Sequence, residues 1–171
     1  MTIVAGFRTH EGVVLCADTQ ETVSNLSKRN VSKLIFHPQN VHLMRERPGY
    51  LATAFCGAGD GPFLDMLVGE AWKAAQNATG LDDACAEITK TIEETYRKYG
   101  QIYQPGYCPT AELIFGVKMH NDSRLFNATG PVVNEKRDYT SGGAGYYMAD
   151  FLASRMYKDH LSLNAFGIPM P

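Results

Sequence analysis

The sequence has no run of five or six like charges and no apolar stretch long enough to cross a membrane. Sixteen Lys and Arg residues stand against eighteen Asp and Glu residues, which gives a formal net charge of -2. This balance offers no electrostatic support for binding nucleic acid or an anionic membrane surface. The first residues also lack the basic and apolar segments of a signal peptide. We therefore expect a cytoplasmic protein that binds neither nucleic acid nor membrane.

Cysteine is scarce too, and its spacing does not suggest metal ligands. The four cysteines, Cys16, Cys56, Cys85 and Cys108, lie far apart, and none forms a Cys-x-x-Cys pair. Three of them stand in apolar runs, which is more typical of buried reduced thiols than of disulfides or a metal site.

Neither a metal nor a cofactor is expected. His37 and His42 are the closest pair of histidines, but a turn separates them and no third ligand is nearby. The Gly-rich segment at residues 141–145 precedes a predicted helix, as phosphate-binding loops do. It lacks the lysine and spacing of a P-loop and does not fit the dinucleotide fingerprint.

The 171 residues are 44% hydrophobic, which is enough for one substantial core, so we expect a single domain over residues 1–171. Short apolar runs in the first third predict strands, the first two joined as a hairpin. These runs are Ile3 to Phe7, Val13 to Ala17, Lys33 to Phe36, Val41 to Met44 and Tyr50 to Cys56.

The hydrophobic period then changes to that of a helix. Asp60 is suited to an N-cap, Pro62 to the first turn, and apolar residues recur on one stripe as far as Ala75. Further along, the pattern predicts a helix from Leu81 to Tyr99, strands at Ala111 to Met119, Arg124 to Asn127 and around Asp138 to Ser141, and a helix after Gly145. Strands, two helices, strands and a helix, in that order, favour antiparallel sheets with helices on their outer faces.

The N-terminus is the candidate site that remains, because the sequence contains no Gly-x-Ser-x-Gly elbow. Thr2 follows the initiator Met, and a small second residue generally permits removal of that Met. The mature chain would then begin with threonine. A free α-amine, with an unperturbed pKa of about 7.7–8.0, is partly neutral near pH 7 and can accept the proton of the hydroxyl on the same residue.

Lys33 and Asp18 are the candidate partners of Thr2. An ammonium beside the nucleophile favours the alkoxide-like state, and a carboxylate keeps that ammonium charged and oriented. Asp18 ends the second predicted strand and Lys33 begins the next, so both can return beside the first strand. An alternative stays open on pattern alone: an ordinary second residue, a strand-end carboxylate and an exposed lysine.

Two segments resemble the opening of proteasome β subunits: Thr2 to Gly6, and Glu11 to Thr19, which reads Glu-Gly-Val-Val-Leu-Cys-Ala-Asp-Thr. Those subunits begin Thr-Thr-x-Val-Gly and continue Asp-Gly-Val-Val-Leu-Ala-Ala-Asp, with the last Asp and a downstream Lys in the active site. The resemblance assigns these two roles to Asp18 and Lys33.

Later segments agree in order with the same family. Phe55 to Asp60 resembles the strand end and turn in which a glycine amide forms the oxyanion hole, with Gly57 as the counterpart. Ser141 to Tyr157 resembles the Gly-Ser-Gly segment and its helix. The chain is thus similar to a proteasome β-type or HslV-like subunit of the N-terminal-nucleophile (Ntn) hydrolase superfamily. This implies an α+β fold, a four-layer αββα sandwich of two antiparallel sheets flanked by helices.

The resemblance implies a threonine-type endopeptidase that cleaves peptides or unfolded proteins through an acyl-enzyme, with Thr2, Asp18, Lys33 and Gly57 as its catalytic residues. It also implies a six- or seven-membered ring of identical subunits that encloses the nucleophiles, and an ATP-dependent unfoldase as a partner. The alternative is a catalytically inactive structural or assembly subunit. That alternative corresponds to a register in which Met1 occupies the nucleophile position.

The chain departs from the family pattern in three places. The interval from Asp18 to Lys33 is one residue shorter, and the serine that precedes the third helix is replaced by Gly143 or Ala144. Ser141 is nearby but out of register. The sequence also ends before the family's final strands, so we expect a domain that is short at its C-terminus.

Overall fold

The computed structural model of the chain describes residues 2–23, 27–37, 51–102 and 109–157, together with Ser162 and Phe166. The described part contains ten strands and three helices. They are β1 (Val4–Arg8), β2 (Val13–Ala17), β3 (Gln20–Val23), β4 (Ser27–Asn30), β5 (Leu34–His37), β6 (Leu51–Gly59), α1 (Gly61–Gln76), α2 (Leu81–Ile102), β7 (Ala111–Met119), β8 (Asp122–Thr129), β9 (Val132–Lys136), β10 (Tyr139–Gly142) and α3 (Tyr146–Met156).

Two antiparallel sheets lie face to face between layers of helices. One sheet has the order β10-β1-β2 and the other the order β5-β6-β7-β8-β9, while β3 and β4 pair only with each other among the described strands. Helices α1 and α2 pack on the five-stranded sheet, and α3 packs against β10 and β1. The α+β sandwich predicted from the sequence is therefore confirmed.

Alternation along β6 and β7 supplies both halves of the core, since successive strand residues point to opposite faces. Phe55 and Phe115 face the helices and pack with Leu67 and Ile88 of α1 and α2. The neighbouring positions Cys56, Ala58 and Ile114 face the other sheet. With Leu125 of β8 and Val4 of β1 they form the second cluster, between the sheets. A methyl group on Gly6 would lie 2.7 Å from Leu125 Cδ1, so glycine there lets the two sheets approach closely.

Most predicted elements are present, several of them longer than expected, and three strands were not predicted. Strands β3 and β4 are polar and pair with each other, so they carry no apolar run. Strand β9 pairs only with β8 among the described strands and is mostly exposed. An exposed strand needs no alternation of apolar and polar residues, so its sequence does not predict a strand. The predicted strand from Val41 to Met44 lies outside the described residues.

The expected burial of the cysteines is confirmed at two positions and wrong at a third. Cys56 and Cys85 are buried free thiols, and burial is the main cause that raises their pKa values, to about 12 and about 11. Cys16 is an exposed free thiol. Cys16 stands opposite Ala5 on β2, and both side chains point to the face of the small sheet on which α3 packs. Because α3 contacts β10 and β1, it leaves the β2 side of that face, and with it Cys16, exposed. Cys108 lies outside the described residues.

No helix in the described ranges combines the length and the apolar character that a membrane span requires.

Candidate active site

The main chain around Thr2 is held at the open end of the first hairpin. Thr2 comes two residues before β1, and its carbonyl oxygen accepts a hydrogen bond of 3.0 Å from the amide of Gly145. The next residue, Ile3, is bonded to Asp18 twice: its amide donates to Asp18 Oδ1 at 3.0 Å, and its carbonyl accepts from the Asp18 amide at 3.0 Å. Residue 2 is therefore fixed from both sides.

Lys33 brings the expected polar residues together. It lies just before β5, and its side chain is only 10% exposed. Its ammonium donates to Thr2 Oγ1 at 3.2 Å, to Asp18 Oδ1 at 2.7 Å and to the carbonyl oxygen of Gln20. An ammonium has three N–H donors, so each donor has an acceptor in this arrangement. The alternative of an exposed lysine unrelated to Thr2 is thereby excluded.

Asp18 is held in its carboxylate form. Its burial alone would raise the pKa, but hydrogen bonds from Lys33 and the Ile3 amide, together with the Lys33 charge, bring the pKa of Asp18 below its ordinary value of 3.8. The Asp18 side chain is 29% exposed, so water screens part of this interaction. Near neutral pH the site therefore contains a carboxylate that orients the lysine.

A cleft of about 280 Å³ opens beside Thr2 and Lys33, between β6 and α1. Its lining is mixed: polar groups, among them those of Ser32 and Asp65, stand beside the apolar side chains of Val31, Ile35, Phe55, Leu64, Val68 and Leu113. Gly57 also lines this cleft. A methyl group on Gly57 would lie 2.8 Å from Leu64 Cδ2, so the strand and the helix pack too closely for a larger residue.

The expected turn at Gly57 is wrong, because β6 continues to Gly59 and Gly57 pairs with Leu113 inside the strand. The pairing of β5 with β6 ends at Leu34 and Cys56. Gly57 is therefore the first residue of β6 beyond its β5 partner, where the edge of the strand faces the cleft. A positive φ occurs instead at Gly59, the last residue of β6, where φ is 128°.

The segment before α3 does not supply a hydroxyl to Thr2. Gly143 and Ala144 stand where the family pattern has serine. Ser141 Oγ lies 2.5 Å from Asp150 Oδ1 and 3.2 Å from the carbonyl oxygen of Tyr146, so this hydroxyl is bonded within its own segment.

Sequence reasoning missed Glu112, whose carboxylate accepts a hydrogen bond from the Gly143 amide. Glu112 and Thr2 both line a second, larger cleft of about 880 Å³. An acidic residue at the start of the otherwise apolar run from Ala111 to Val117 was the available signal. The carbonyl of Gln20, by contrast, is a backbone group and leaves no trace in the sequence.

No group of three or more His, Cys, Asp or Glu side chains is placed to hold a metal ion among the residues that the structure covers. Of the closest pair of histidines, His42 lies outside those residues.

Several solved structures share this fold. A mutant Anbu protein from Hyphomicrobium sp. strain MC1 is 19% identical, with a TM-score of 0.71 over 98% of this chain and 70% of its own. Anbu from Yersinia bercovieri, described as an ancestral beta-subunit, is 16% identical, with a TM-score of 0.71 and the same coverage. Anbu from Pseudomonas aeruginosa is 14% identical, with a TM-score of 0.68 over 95% and 68%. No protein-family model and no curated protein matches the sequence.

These structures correct the expected family. The neighbours are Anbu proteins, so placing the chain with proteasome β-type or HslV-like subunits is wrong. The motifs behind that expectation, Thr2 to Gly6 and Glu11 to Thr19, lie around the first hairpin and the residues beside it. At this level of identity the likeness shows the fold alone.

Proposed function

We propose that this chain is an N-terminal threonine peptidase that becomes active when Met1 is removed. Thr2 is the nucleophile, Lys33 and Asp18 are its charged partners, and the Gly57 amide stabilises the oxyanion. The observation that carries the proposal is the position of Lys33 Nζ, 3.2 Å from Thr2 Oγ1 and 2.7 Å from Asp18 Oδ1.

Removal of Met1 is required because the nitrogen of residue 2 is otherwise an amide and cannot accept a proton. The freed α-amine takes the hydroxyl proton, and Oγ1 forms a bond to the peptide carbonyl carbon. Negative charge then develops on the carbonyl oxygen, where a backbone amide stabilises it. The C–N bond breaks as the ammonium returns its proton to the leaving nitrogen. Water then hydrolyses the ester and restores Thr2.

Lys33 contributes a fixed positive charge that is already desolvated beside the nucleophile. It stabilises the hydroxyl oxygen as the proton leaves, and Asp18 keeps the ammonium in place. The adjacent cleft, with apolar side chains and a few polar groups in its lining, supports the binding of a peptide side chain next to the scissile bond.

We extend the proposal to self-association with further copies of the chain. The Anbu complex from Pseudomonas aeruginosa forms a helical assembly. In this chain, α3 presents an exposed apolar stripe, defined here as Met148, Phe151, Leu152 and Met156, with exposures between 45% and 70%. Such a stripe is larger than scattered surface apolar residues explain. An enclosed assembly of single-domain subunits in the cytoplasm, fed by an unfoldase, would confine cleavage to unfolded chains.

The test combines the mass of the purified protein with a covalent probe. We expect the intact mass to show loss of Met1, and a peptide epoxyketone to label Thr2. Thr2→Ala should abolish labelling and peptide cleavage, and Thr2→Ser should retain part of both. Thr89→Ala, on α2 and away from both clefts, is the matched control and should react like the unchanged protein.

Two results would overturn the proposal. Retention of Met1 in the assembled protein would leave residue 2 without a base, which is the outcome that a silent structural subunit requires. Cleavage by Thr2→Ala at the rate of the unchanged protein would show that another residue is the nucleophile.

A further inference from the structure

The carbonyl group of Thr2 is enclosed by the turn between β10 and α3. The amide of Gly145 donates to this carbonyl oxygen at 3.0 Å. Gly143 lies so close to it that a methyl group there would come within 2.4 Å of the same oxygen. Residues 142–145, which we call the glycine clamp, thus hold the main chain of the residue that carries the nucleophile.

The clamp is held in turn from the opposite sheet. Glu112 stands on β7 of the five-stranded sheet, whereas Gly142 ends β10 of the three-stranded sheet. The Glu112 carboxylate accepts the Gly143 amide proton. A methyl group on Gly142 would lie 2.7 Å from Glu112 Oε2, so glycine at that position makes room for the carboxylate. This contact crosses from one sheet to the other at the site.

Glu112 has no cationic partner in the described part of the chain, where its hydrogen bond goes to a backbone amide. An ionised acceptor bonds an amide about twice as strongly as a neutral one. Gly143 has a φ of 82°, one of several conformations open to glycine, so contacts from outside the segment are needed to select it. The carboxylate is therefore placed to keep the clamp in one conformation.

We propose that Glu112 is a positioning residue: through the Gly143 amide it fixes the glycine clamp, and the clamp fixes the carbonyl of Thr2 so that Oγ1 stays beside Lys33. This inference rests on the proposed function for its catalytic consequence. Its structural part, the support of the clamp by a carboxylate, stands independently of activity.

The first measurement does not use activity. Hydrogen exchange of the segment that contains Gly143 and Gly145 is compared in Thr2→Ala protein with and without Glu112→Ala. Loss of a charge-assisted bond should accelerate exchange there by roughly tenfold or more. Glu112→Gln keeps an acceptor oxygen, so its exchange rate in this segment should lie between the rates with Glu112 and with Glu112→Ala. Glu135→Ala, an exposed carboxylate on β9 of the same sheet, should leave this segment unchanged.

The second measurement is the reaction of otherwise unchanged protein with a peptide epoxyketone, separated into affinity and maximal rate. Displacing a reacting group by about 1 Å can cost on the order of a hundredfold in rate. We expect Glu112→Ala to lower the maximal labelling rate by roughly tenfold or more, on the same principle, with unchanged affinity. Glu112→Gln, which keeps both the size and an acceptor oxygen, should recover most of the rate, whereas Glu112→Met, which keeps the size without an acceptor oxygen, should not; equal rates in these two variants would show a role in packing alone.

The outcomes separate the two proposals. If the unchanged protein does not react, the peptidase proposal fails, and the exchange experiment alone decides the role of Glu112. If the unchanged protein reacts and Glu112→Ala exchanges and reacts at the same rates, the inference about Glu112 is wrong while the peptidase proposal stands. Should Glu112→Ala fail to fold, the Gln variant is the test, and a loss as large as that of Thr2→Ala would overturn the positioning role.

Discussion

At the scale of single residues, two glycines with positive φ provide a matched pair. Gly143 has a φ of 82° and faces the Thr2 carbonyl, whereas Gly130 has a φ of 58° and open space where a methyl group would stand. Gly130→Ala should lower the free energy of unfolding by about 1–2 kcal/mol, because an alanine is strained at positive φ even where its methyl group has room. Gly143→Ala should lower the free energy of unfolding further, because its methyl group would also clash with the Thr2 carbonyl oxygen. We also expect Gly143→Ala to suppress probe labelling of Thr2.

Urea unfolding of the two variants at one pH measures this difference in free energy. Equal losses of stability, together with equal labelling, would contradict the close contact between the glycine clamp and residue 2.

The pKa of Asp18 predicts how stability depends on pH. Since the pKa of Asp18 is lower in the folded chain than its ordinary value of 3.8, the pair with Lys33 stabilises the fold fully above that value. The stabilisation is lost as pH falls through the lowered pKa. The difference in unfolding free energy between the unchanged protein and Asp18→Asn should therefore be largest near neutral pH and shrink below pH 3.8.

Denaturant unfolding at a series of pH values tests this prediction. Asp65→Asn, which removes an exposed carboxylate on α1, serves as the control. A difference between Asp18→Asn and the unchanged protein that stays constant down to strongly acidic pH would show that Asp18 acts by shape and not by charge.

Sequence reasoning could name the residues around Thr2 because they follow elements that it could also locate. Asp18 directly follows β2, which hairpin geometry returns beside β1. Lys33 directly precedes β5 of the other sheet, so it reaches Thr2 through the packing of the two sheets and not through the hairpin. The role of Glu112 was not predicted, because its partner is a backbone amide 31 residues further along the chain. Contacts of side chains with backbone groups depend on the packing of the two sheets, which residue types alone do not encode.

At the scale of elements, prediction succeeded where local chemistry and burial agree. Asp60 caps α1 by accepting the Phe63 amide proton at 3.0 Å, as its position before Pro62 indicated. The long helix α2 was recognised from its apolar stripe. Strands β3 and β4 could not be recognised, because their hydrogen bonds to each other and not their side chains define them.

The two glycines near the end of β6 show a different limit of prediction from sequence. The glycines at 57 and 59 are equivalent in a motif, but of the two only Gly59, the last residue of β6, has a positive φ. Gly57 is required for another reason, the close approach of Leu64 from α1. A glycine in a motif can be required for a positive φ or for close packing, and the motif alone does not distinguish the two.

At the scale of the whole molecule, the exposed stripe of α3 predicts the assembly state. Leu152 is 55% exposed and Met156 is 70% exposed, on a helix that covers only part of the small sheet. Burying one such side chain between two copies contributes about 1.5–3 kcal/mol, and introducing a charge there opposes that burial. Leu152→Glu should therefore shift the protein from an assembly toward the 18.9 kDa monomer.

Analytical ultracentrifugation over a range of concentrations measures the shift. Arg97→Glu places the same side chain on the exposed polar face of α2 and should leave the assembly intact. Because Leu152 lies outside both clefts beside Thr2, dissociated Leu152→Glu protein should still bind the peptide probe if one chain contains the complete site. An assembly of unchanged size in Leu152→Glu would show that α3 is not the interface, and the proposed contact between copies would then have to involve another face.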